Sequence, residues 1–119
     1  MKAARRVLVI CRHSAAAGTR AREALDIGLA FGAFDQQVTV LFTGEGVWNL
    51  VAGQSGDSTR SMERLLGALP DYGIGPLLAD AGAISTRGIA GEQMVAGCRL
   101  IDRVAMAALI DTHDLVYTA

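Results

Sequence analysis

Few side chains of this sequence could carry covalent chemistry, and its two cysteines are the first of them. Cys11 is followed by Arg12 and His13, so a thiolate there would gain from cationic neighbours. Cys98 precedes Arg99 just before the predicted last helix, whose N-terminus would lower the pKa of its thiol. The alternative for each cysteine is a structural role, since a free cysteine often behaves as a small, buried apolar residue. Their spacing matches no metal-ligand motif and favours no disulfide, so we expect neither a metal nor a cofactor.

The histidines, one aspartate and one glycine pair supply the remaining candidates. His13 and His113 form no Ser/His/Asp or Cys/His/Asn pattern, which favours surface or helix-end positions. Asp80 follows the predicted third strand, where it is either a general base or the N-cap of a helix. The sequence Ala-Gly-Ala-Ile-Ser after it favours the cap. Residues 44–46 lack the third glycine of a dinucleotide fingerprint, which favours a tight turn over a small-ligand contact.

Residues 34–54 are the stretch around which these candidates are organised. A β-branched, apolar run at 38–42 predicts a buried strand, the glycines after it predict a tight turn, and a short apolar helix follows. In open α/β sheets, binding sites form at this C-terminal end of the strands. Trp48 is either part of the core or an anchor in a subunit interface, where aromatic side chains are enriched. Gly46, Val47 and Trp48 are therefore the candidate interface residues.

Strands and helices alternate along the rest of the chain. Thr19 is the expected N-cap of the first helix, and Ser58 or Thr59 that of a later one. The predicted strands are 6–11, 38–42, 74–79, 93–96 and 114–117, and the predicted longer helices are 19–31, 58–66, 81–86 and 99–110. Right-handed crossovers make neighbouring strands parallel. The pattern predicts one α/β domain over residues 1–119, with helices packed on a mostly parallel sheet.

Composition excludes several classes of function. The formal net charge is −1, from 11 basic and 12 acidic residues, which predicts no nucleic-acid-binding surface. No apolar run approaches the roughly 20 residues that a membrane span requires. The apolar run at 7–11 is too short for the core of a secretion signal. These observations predict a cytoplasmic protein that contacts neither nucleic acid nor membrane directly.

A series of short motifs, spread over nearly the whole chain, resembles one known family. The motifs are Ala17-Gly18-Thr19, Arg22-Glu23-Ala24-Leu25-Asp26, Gly32-Ala33-Phe34-Asp35-Gln36, Val40-Leu41-Phe42, Gly46-Val47-Trp48-Asn49-Leu50, Gly53-Gln54, Arg87-Gly88-Ile89 and Asp114-Leu115-Val116-Tyr117. They resemble the DsrE/DsrF/DsrH family of sulfur relay proteins. The run Gly-Val-aromatic-x-Leu-x-x-Gly-Gln from Gly46 to Gln54 is the most specific, because it is similar to the DsrF/TusC-like subunit in particular.

The resemblance implies both a fold and an assembly. The fold would be a DsrE-like three-layer sandwich, a mostly parallel five-stranded sheet with helices on both faces. The assembly would be a heterohexamer that combines two copies each of this chain, a DsrE/TusD-like subunit and a DsrH/TusB-like subunit. Such complexes pass persulfide sulfur between proteins, either for 2-thiouridine in tRNA or in the oxidation of stored sulfur or reverse sulfite reduction.

One departure from the family pattern concerns the persulfide-carrying residue. DsrE/TusD subunits place that cysteine eight residues before the glycine of an Arg-Gly pair, and the corresponding residue before Gly88 is Asp80. A carboxylate cannot carry a persulfide, so the leading hypothesis is a structural subunit that is not catalytic on its own. Two alternatives stay open: a sulfur carrier that uses Cys11 or Cys98, and a small-ligand-binding α/β module with its site at residues 44–46.

Overall fold

The computed structural model describes residues 5–119, which form alternating strands and helices. The strands are β1 (Arg6–Cys11), β2 (Gln37–Phe42), β3 (Leu77–Asp80), β4 (Cys98–Ile101) and β5 (Leu115–Thr118). The α-helices are α1 (Arg20–Ala33), α2 (Asp57–Ala68), α3 (Ala81–Thr86) and α4 (Arg103–Thr112). Four 3₁₀ segments lie between them, at Ala15–Ala17, Gly44–Leu50, Leu69–Tyr72 and Gly91–Gln93.

The sheet has the strand order β4-β3-β2-β1-β5, and each neighbouring pair is parallel. β1 therefore lies between β2 and β5, and its residues Val7 to Ile10 are bonded on both sides. A strand so placed is covered on both faces, which is why its sequence is a continuous apolar run. The predicted α/β class and five-stranded parallel sheet are confirmed.

The two faces of the sheet carry cores of very different size. Val7, Val9 and Cys11 of β1 pack with α1 and α2 in a large cluster of buried side chains. Leu8 and Ile10 point to the other face, where they form a cluster of four buried residues with Leu41 and Leu78. Met106 and Leu109 of α4 pack on this smaller cluster. Helices thus cover both faces, in the three layers that the sequence resemblance implies.

The C-terminal part of the chain differs from the sequence prediction. The fourth strand is Cys98–Ile101, not 93–96, and the last helix begins at Arg103 rather than at 99. Gly97, with a φ of 83°, separates the strand from the loop before it. Asp102 separates strand from helix, because its side chain accepts a hydrogen bond from the backbone N–H of Ala105. The sequence pattern did not reveal this short edge strand, because its apolar residues continue the helical spacing of the residues in the following helix.

Other predicted boundaries shift by smaller amounts. β3 begins at Leu77 rather than 74, since Gly75 has a φ of 153° and Pro76 has no N–H to give to a sheet. The segment after β2 is a 3₁₀ helix over Gly44–Leu50, so the predicted short helix begins within the predicted glycine turn rather than after it.

Of two predicted caps, one has the predicted position but forms no cap hydrogen bond, and the other is wrong. Thr19 occupies the N-cap position of α1, but its hydroxyl donates to the Glu23 carboxylate and forms no cap bond. The N-cap position of α2 is Gly56, and the Thr59 hydroxyl donates to backbone carbonyls before the helix instead. Within residues 5–119, no helix combines the length and apolar character that crossing a membrane requires.

Candidate functional site

The candidate site is a cleft at the C-terminal edge of the sheet. Thr43, Asp80 and Asp102 follow directly from, or end, the neighbouring strands β2, β3 and β4. Parallel strands bring these C-terminal ends to one edge of the sheet, where α/β proteins build sites. The cleft has a volume of about 610 Å³, and Arg87 and Arg103 also line it. The sequence predicted a binding site at this same end of the strands.

Both carboxylate oxygens of Asp80 are used within the chain. One oxygen accepts hydrogen bonds from the backbone N–H groups of Gly82 at 3.0 Å and Ala83 at 3.3 Å. The other accepts a hydrogen bond of 2.8 Å from the hydroxyl of Thr43. The predicted N-cap of α3 is thereby confirmed. The same carboxylate also joins the end of β2 to the start of α3, so it shapes one wall of the cleft.

The carboxylate of Glu45 connects the 3₁₀ segment Gly44–Leu50 to the end of α3. One oxygen of the Glu45 carboxylate accepts from Arg87 at 2.8 Å and from the indole N–H of Trp48 at 3.0 Å. These two hydrogen bonds, with the nearby positive charge, lower the pKa of the Glu45 carboxyl. Arg87 also donates to the carbonyl of Ala83 at 3.1 Å. The pair fixes the direction of the Arg87 side chain, although an exposed ion pair adds little to stability.

Gly46 lies where two segments of backbone cross. A Cβ atom built on this residue would be 2.1 Å from the carbonyl oxygen of Cys11 and 2.8 Å from its carbonyl carbon. Only glycine lets the 3₁₀ segment approach the end of β1 so closely. The paired glycines at 44 and 46 therefore serve the backbone: Gly44 adopts a φ of 55°, and Gly46 provides the close approach.

Asn49 is a buried polar residue that sequence reasoning missed. Its side-chain oxygen accepts from the backbone N–H of Ala15 at 2.8 Å, and its amide nitrogen donates to the carbonyl of His13 at 2.8 Å. The same nitrogen is 3.6 Å from the sulfur of Cys11. Asn49 thus holds the loop after β1 against the 3₁₀ segment. The available signal was an asparagine within the apolar run Val47–Val51, where a buried polar side chain needs partners.

The thiol of Cys11 is buried, and the structure does not favour its ionisation. The residue has no exposed surface, and its sulfur donates to the carbonyl of His13 at 3.5 Å. Burial raises the pKa of the Cys11 thiol, and the hydrogen bonds to His13 and Asn49 lower it by less. The contact is with the backbone of His13, so these two residues do not form a thiolate–imidazole pair. The cationic neighbours noted in the sequence therefore do not produce a reactive thiol.

Cys98 lies far from the cleft and in a different element from the one predicted. It is the first residue of β4, paired with Leu77, whereas Asp80 is paired with Ile101 at the far end of the same strands. Three residues of strand separate the two levels by about 10 Å. The half-buried thiol donates to the carbonyl of Val95 at 3.2 Å, and burial raises its pKa. The sequence predicted that a helix begins beside Cys98 and lowers the pKa of its thiol. This prediction is wrong, because Cys98 begins a strand.

The two histidines have separate surroundings. His113 follows α4, where one ring nitrogen is 2.6 Å from the carbonyl of Leu109 and the other is 3.2 Å from the hydroxyl of Thr39. This confirms a helix-end position. His13 lies in the loop after β1, and its buried Nε2 atom has no hydrogen-bond partner within residues 5–119. No three His, Cys, Asp or Glu side chains among the residues that the structure describes are grouped to bind a metal ion.

The three candidate interface residues differ in exposure. Gly46 and Val47 are buried inside the chain, because they pack against the end of β1 and the large core cluster. Trp48 is half-buried and packs on the edge of that cluster. It is the member of the three that keeps surface for a partner, and its role in an interface stays a prediction.

Solved structures with low sequence identity share this fold. The YchN protein of E. coli superimposes with a TM-score of 0.78 at 17% identity, over 98% of this chain and 100% of that one. A protein of unknown function from Methanobacterium thermoautotrophicum gives a TM-score of 0.68 at 15% identity, over 98% and 100% of the two chains. The class is therefore that of small α/β domains built on this five-stranded parallel sheet.

The chain belongs to the DsrE/DsrF-like family, whose family model matches residues 5–118. It is 37% identical over 114 residues to the TusC homolog of Pseudomonas aeruginosa. The aligned residues are 94% of this chain and 96% of that protein. The TusC homolog of Vibrio parahaemolyticus is 33% identical over 70% of each chain. The intracellular sulfur oxidation protein DsrF of Allochromatium vinosum is 33% identical over 61% of this chain and 55% of its own length. The family resemblance seen in the motifs is confirmed.

Replacing Gly46 by alanine should destabilise the fold by about 1–3 kcal/mol or more, because the new methyl group overlaps the Cys11 carbonyl. Urea denaturation measures the effect. Gly67→Ala is the matched control, since nothing lies within 4 Å of a Cβ at this exposed position of α2. There alanine should stabilise by about 0.5–1 kcal/mol through helix propensity. Equal effects of the two substitutions would contradict the close crossing.

Asp80→Ala should cost about 0.5–2 kcal/mol of stability through loss of the cap. Asp80→Asn keeps a carbonyl oxygen for the two N–H groups of α3, so it should cost less than half as much in the same urea titration. The Thr43 hydroxyl can turn to accept from the new amide group. If asparagine proved as costly as alanine, the negative charge rather than the cap would be what stabilises this position.

Alkylation of both thiols should be slow in the folded protein at neutral pH, and Cys11 should react more slowly than Cys98. The raised pKa values keep both thiols neutral, so reaction should accelerate only above the ordinary thiol pKa. Above that pH the unfolded chain ionises first, and stability should fall. Peptide mass spectrometry after timed iodoacetamide treatment follows each site, with the chain in urea as control. Rapid neutral-pH labelling of Cys11 would disprove its burial.

Proposed function

We propose that this chain is a structural subunit of a cytoplasmic sulfur relay complex and carries no persulfide itself. Its partners would be cysteine-bearing DsrE/TusD-like and DsrH/TusB-like subunits, two copies of each in a heterohexamer. The proposal draws on the similarity to TusC and DsrF proteins over most of the chain. The pathway served would be either thiolation of tRNA or the oxidation of sulfur, which the name of the Allochromatium relative mentions.

The state of Asp80 is the observation that carries this proposal. The family resemblance assigns to its position the cysteine that holds sulfur in DsrE/TusD subunits. In this chain the side chain is a carboxylate, and backbone N–H groups and the Thr43 hydroxyl engage both of its oxygens. The position therefore supports the shape of the cleft wall and offers no thiol to carry sulfur.

Neither thiol is suited to replace the missing cysteine. Persulfide transfer requires a thiolate to attack the sulfane sulfur of a donor, forming a new S–S bond while the donor thiolate leaves. Cys11 has no accessible surface, and burial raises its pKa, so both access and ionisation are unfavourable. Burial also raises the pKa of the Cys98 thiol. This residue lies at the opposite end of its strand from the cleft. The alternative of a sulfur carrier has little structural support.

The alternative of a small-ligand module at residues 44–46 also loses its main argument. Gly46 is glycine because the backbone of Cys11 passes over it, and a ligand cannot occupy the same space. Glu45 is engaged by Arg87 and Trp48. These contacts make the segment a structural support for the cleft, as expected of a subunit that holds its partners in place.

The proposal is tested in the assembled complex with a cysteine-free form of this chain, Cys11→Ala together with Cys98→Ala. We expect the variant to assemble with its partners and to leave the rate of sulfur transfer from a persulfide donor within about twofold of the original. Co-purification measures assembly, and radiolabelled sulfur measures transfer. Loss of transfer in a complex that still assembles would show that one of the two thiols carries sulfur.

A second variant asks whether the Asp80 position lacks only the nucleophile. Asp80→Cys in the cysteine-free chain should acquire little bound sulfane sulfur from the same donor. Arg87, one of the two arginines that line the cleft, is already paired with Glu45, and the adjacent Ala81 and Gly82 offer no cationic side chain. Cyanolysis measures the bound sulfur, and the cysteine-bearing partner is the positive control. Loading equal to that partner would mean that the chain keeps a competent carrier site.

A further inference from the structure

Helix α4 is apolar on all sides, yet nothing in the described chain covers its outer face. Between Arg103 and Asp111 each of its residues is apolar, and no residue of the helix is buried. A helix that is hydrophobic all round normally lies inside a protein. Here its inner side, with Met106 and Leu109, packs on the small cluster of the sheet, and its outer side faces solvent. The outer side therefore has the composition of a surface that another chain covers.

The outer stripe of α4 is shaped for another helix. Arg103, Ala107 and Asp111 follow one another at four-residue spacing along one helix face, and the neighbouring Val104 is 78% exposed. Ala107 and Ala108 are both exposed at the middle of the stripe. Small residues there allow the backbone of a second helix to approach closely, while larger side chains pack on either side of the contact.

The charges on this stripe are opposite at its two ends. Arg103, which also lines the cleft, and Asp111 are both exposed, and among residues 5–119 neither takes part in an ion pair. The neighbouring Asp102 is already occupied as the N-cap of the helix. Arg103 and Asp111 are eight residues apart, or about 12 Å along the helix axis. Ala107 lies midway between them.

This charge pattern is self-complementary. A second α4 placed antiparallel, with a two-fold axis at Ala107, brings Arg103 of each copy opposite Asp111 of the other. Val104 then faces Ile110 of the second copy, and the two Ala107 residues meet at the axis. A parallel arrangement would instead place like charges together, which is unfavourable. A two-fold contact uses the same patch on both chains, as this stripe allows.

We propose that the outer face of α4 binds a second copy of this chain in an antiparallel, two-fold contact. Val116 of β5 extends the surface, because its register with Leu8 places it on the same side of the sheet as α4, and it is 37% exposed. The face lies on the opposite side of the sheet from α1 and α2. This contact depends on neither the cysteines nor Asp80, so its test is independent of the test of the sulfur relay role.

A contact made by a helix of ten residues and one strand edge is small. It falls below the roughly 800 Å² per partner of a standard stable interface. The isolated chain should therefore dimerise weakly, with a dissociation constant in the micromolar range, and a larger assembly would strengthen the same contact.

Sedimentation velocity of the full chain over a wide concentration range tests the contact. Arg103→Glu and Asp111→Arg should each weaken dimerisation about tenfold or more, because each places like charges opposite each other at two points. The double variant Arg103→Glu/Asp111→Arg exchanges the charges and should restore the original dissociation constant. Arg64→Glu, an exposed charge reversal on α2, is the matched control and should change nothing. Circular dichroism confirms that each variant is folded.

Cross-linking supplies an independent readout of the axis. Ala107→Cys in the cysteine-free background should form a covalent dimer on mild oxidation, because the two copies meet at this residue; Ala16→Cys, exposed in the loop after β1, should not. A chain that stays monomeric at millimolar concentration would overturn the proposal. So would a dimer whose affinity the exchanged charges do not restore, or a different subunit that occupies α4 in the complex and excludes the second copy.

Discussion

The contact between Gly46 and the carbonyl of Cys11 is the constraint on which the C-terminal edge of the sheet depends. Because no side chain stands between them, the 3₁₀ segment after β2 packs directly on the end of β1. That approach brings Asn49 within reach of the loop after β1 and places Glu45 beside Arg87, which follows α3. Three connections that follow different strands are thus held together by backbone proximity and a few directed hydrogen bonds.

The same arrangement decides what the cysteine at the end of β1 can do. A residue at the carboxyl end of a parallel strand is normally well placed for chemistry. Here the crossing segment covers it, and burial outweighs the hydrogen bonds that would favour a thiolate. The nearby open space lies instead over Asp80, whose carboxylate is tied to the backbone of α3. The cleft over Asp80 is thus bordered by carboxylates whose oxygens are engaged by hydrogen bonds within the chain.

Sequence patterns predicted the elements that are long or buried on both sides. The continuous apolar run of β1, the mostly apolar, β-branched run of β2 and the Asp80 cap could be predicted directly, because each depends on neighbours in sequence. The edge strand β4 could not, since four residues that are half exposed carry no periodicity distinct from the helix that follows. Nor could Asn49, because its three partners lie at positions 11, 13 and 15, more than thirty residues earlier in the chain. Contacts of that range become visible only when the fold is known.

The unequal cores on the two faces of the sheet have a consequence for the protein in the cell. Regions with few buried apolar contacts open at low cost, and such openings are where proteases cut. α4 has no buried residue, so it is the long helix of the described chain that opens most readily when uncovered. An orphan copy would therefore be degraded sooner than one whose α4 is covered. Turnover of surplus chains would then keep the supply of this protein matched to that of whatever binds it, without any dedicated regulator.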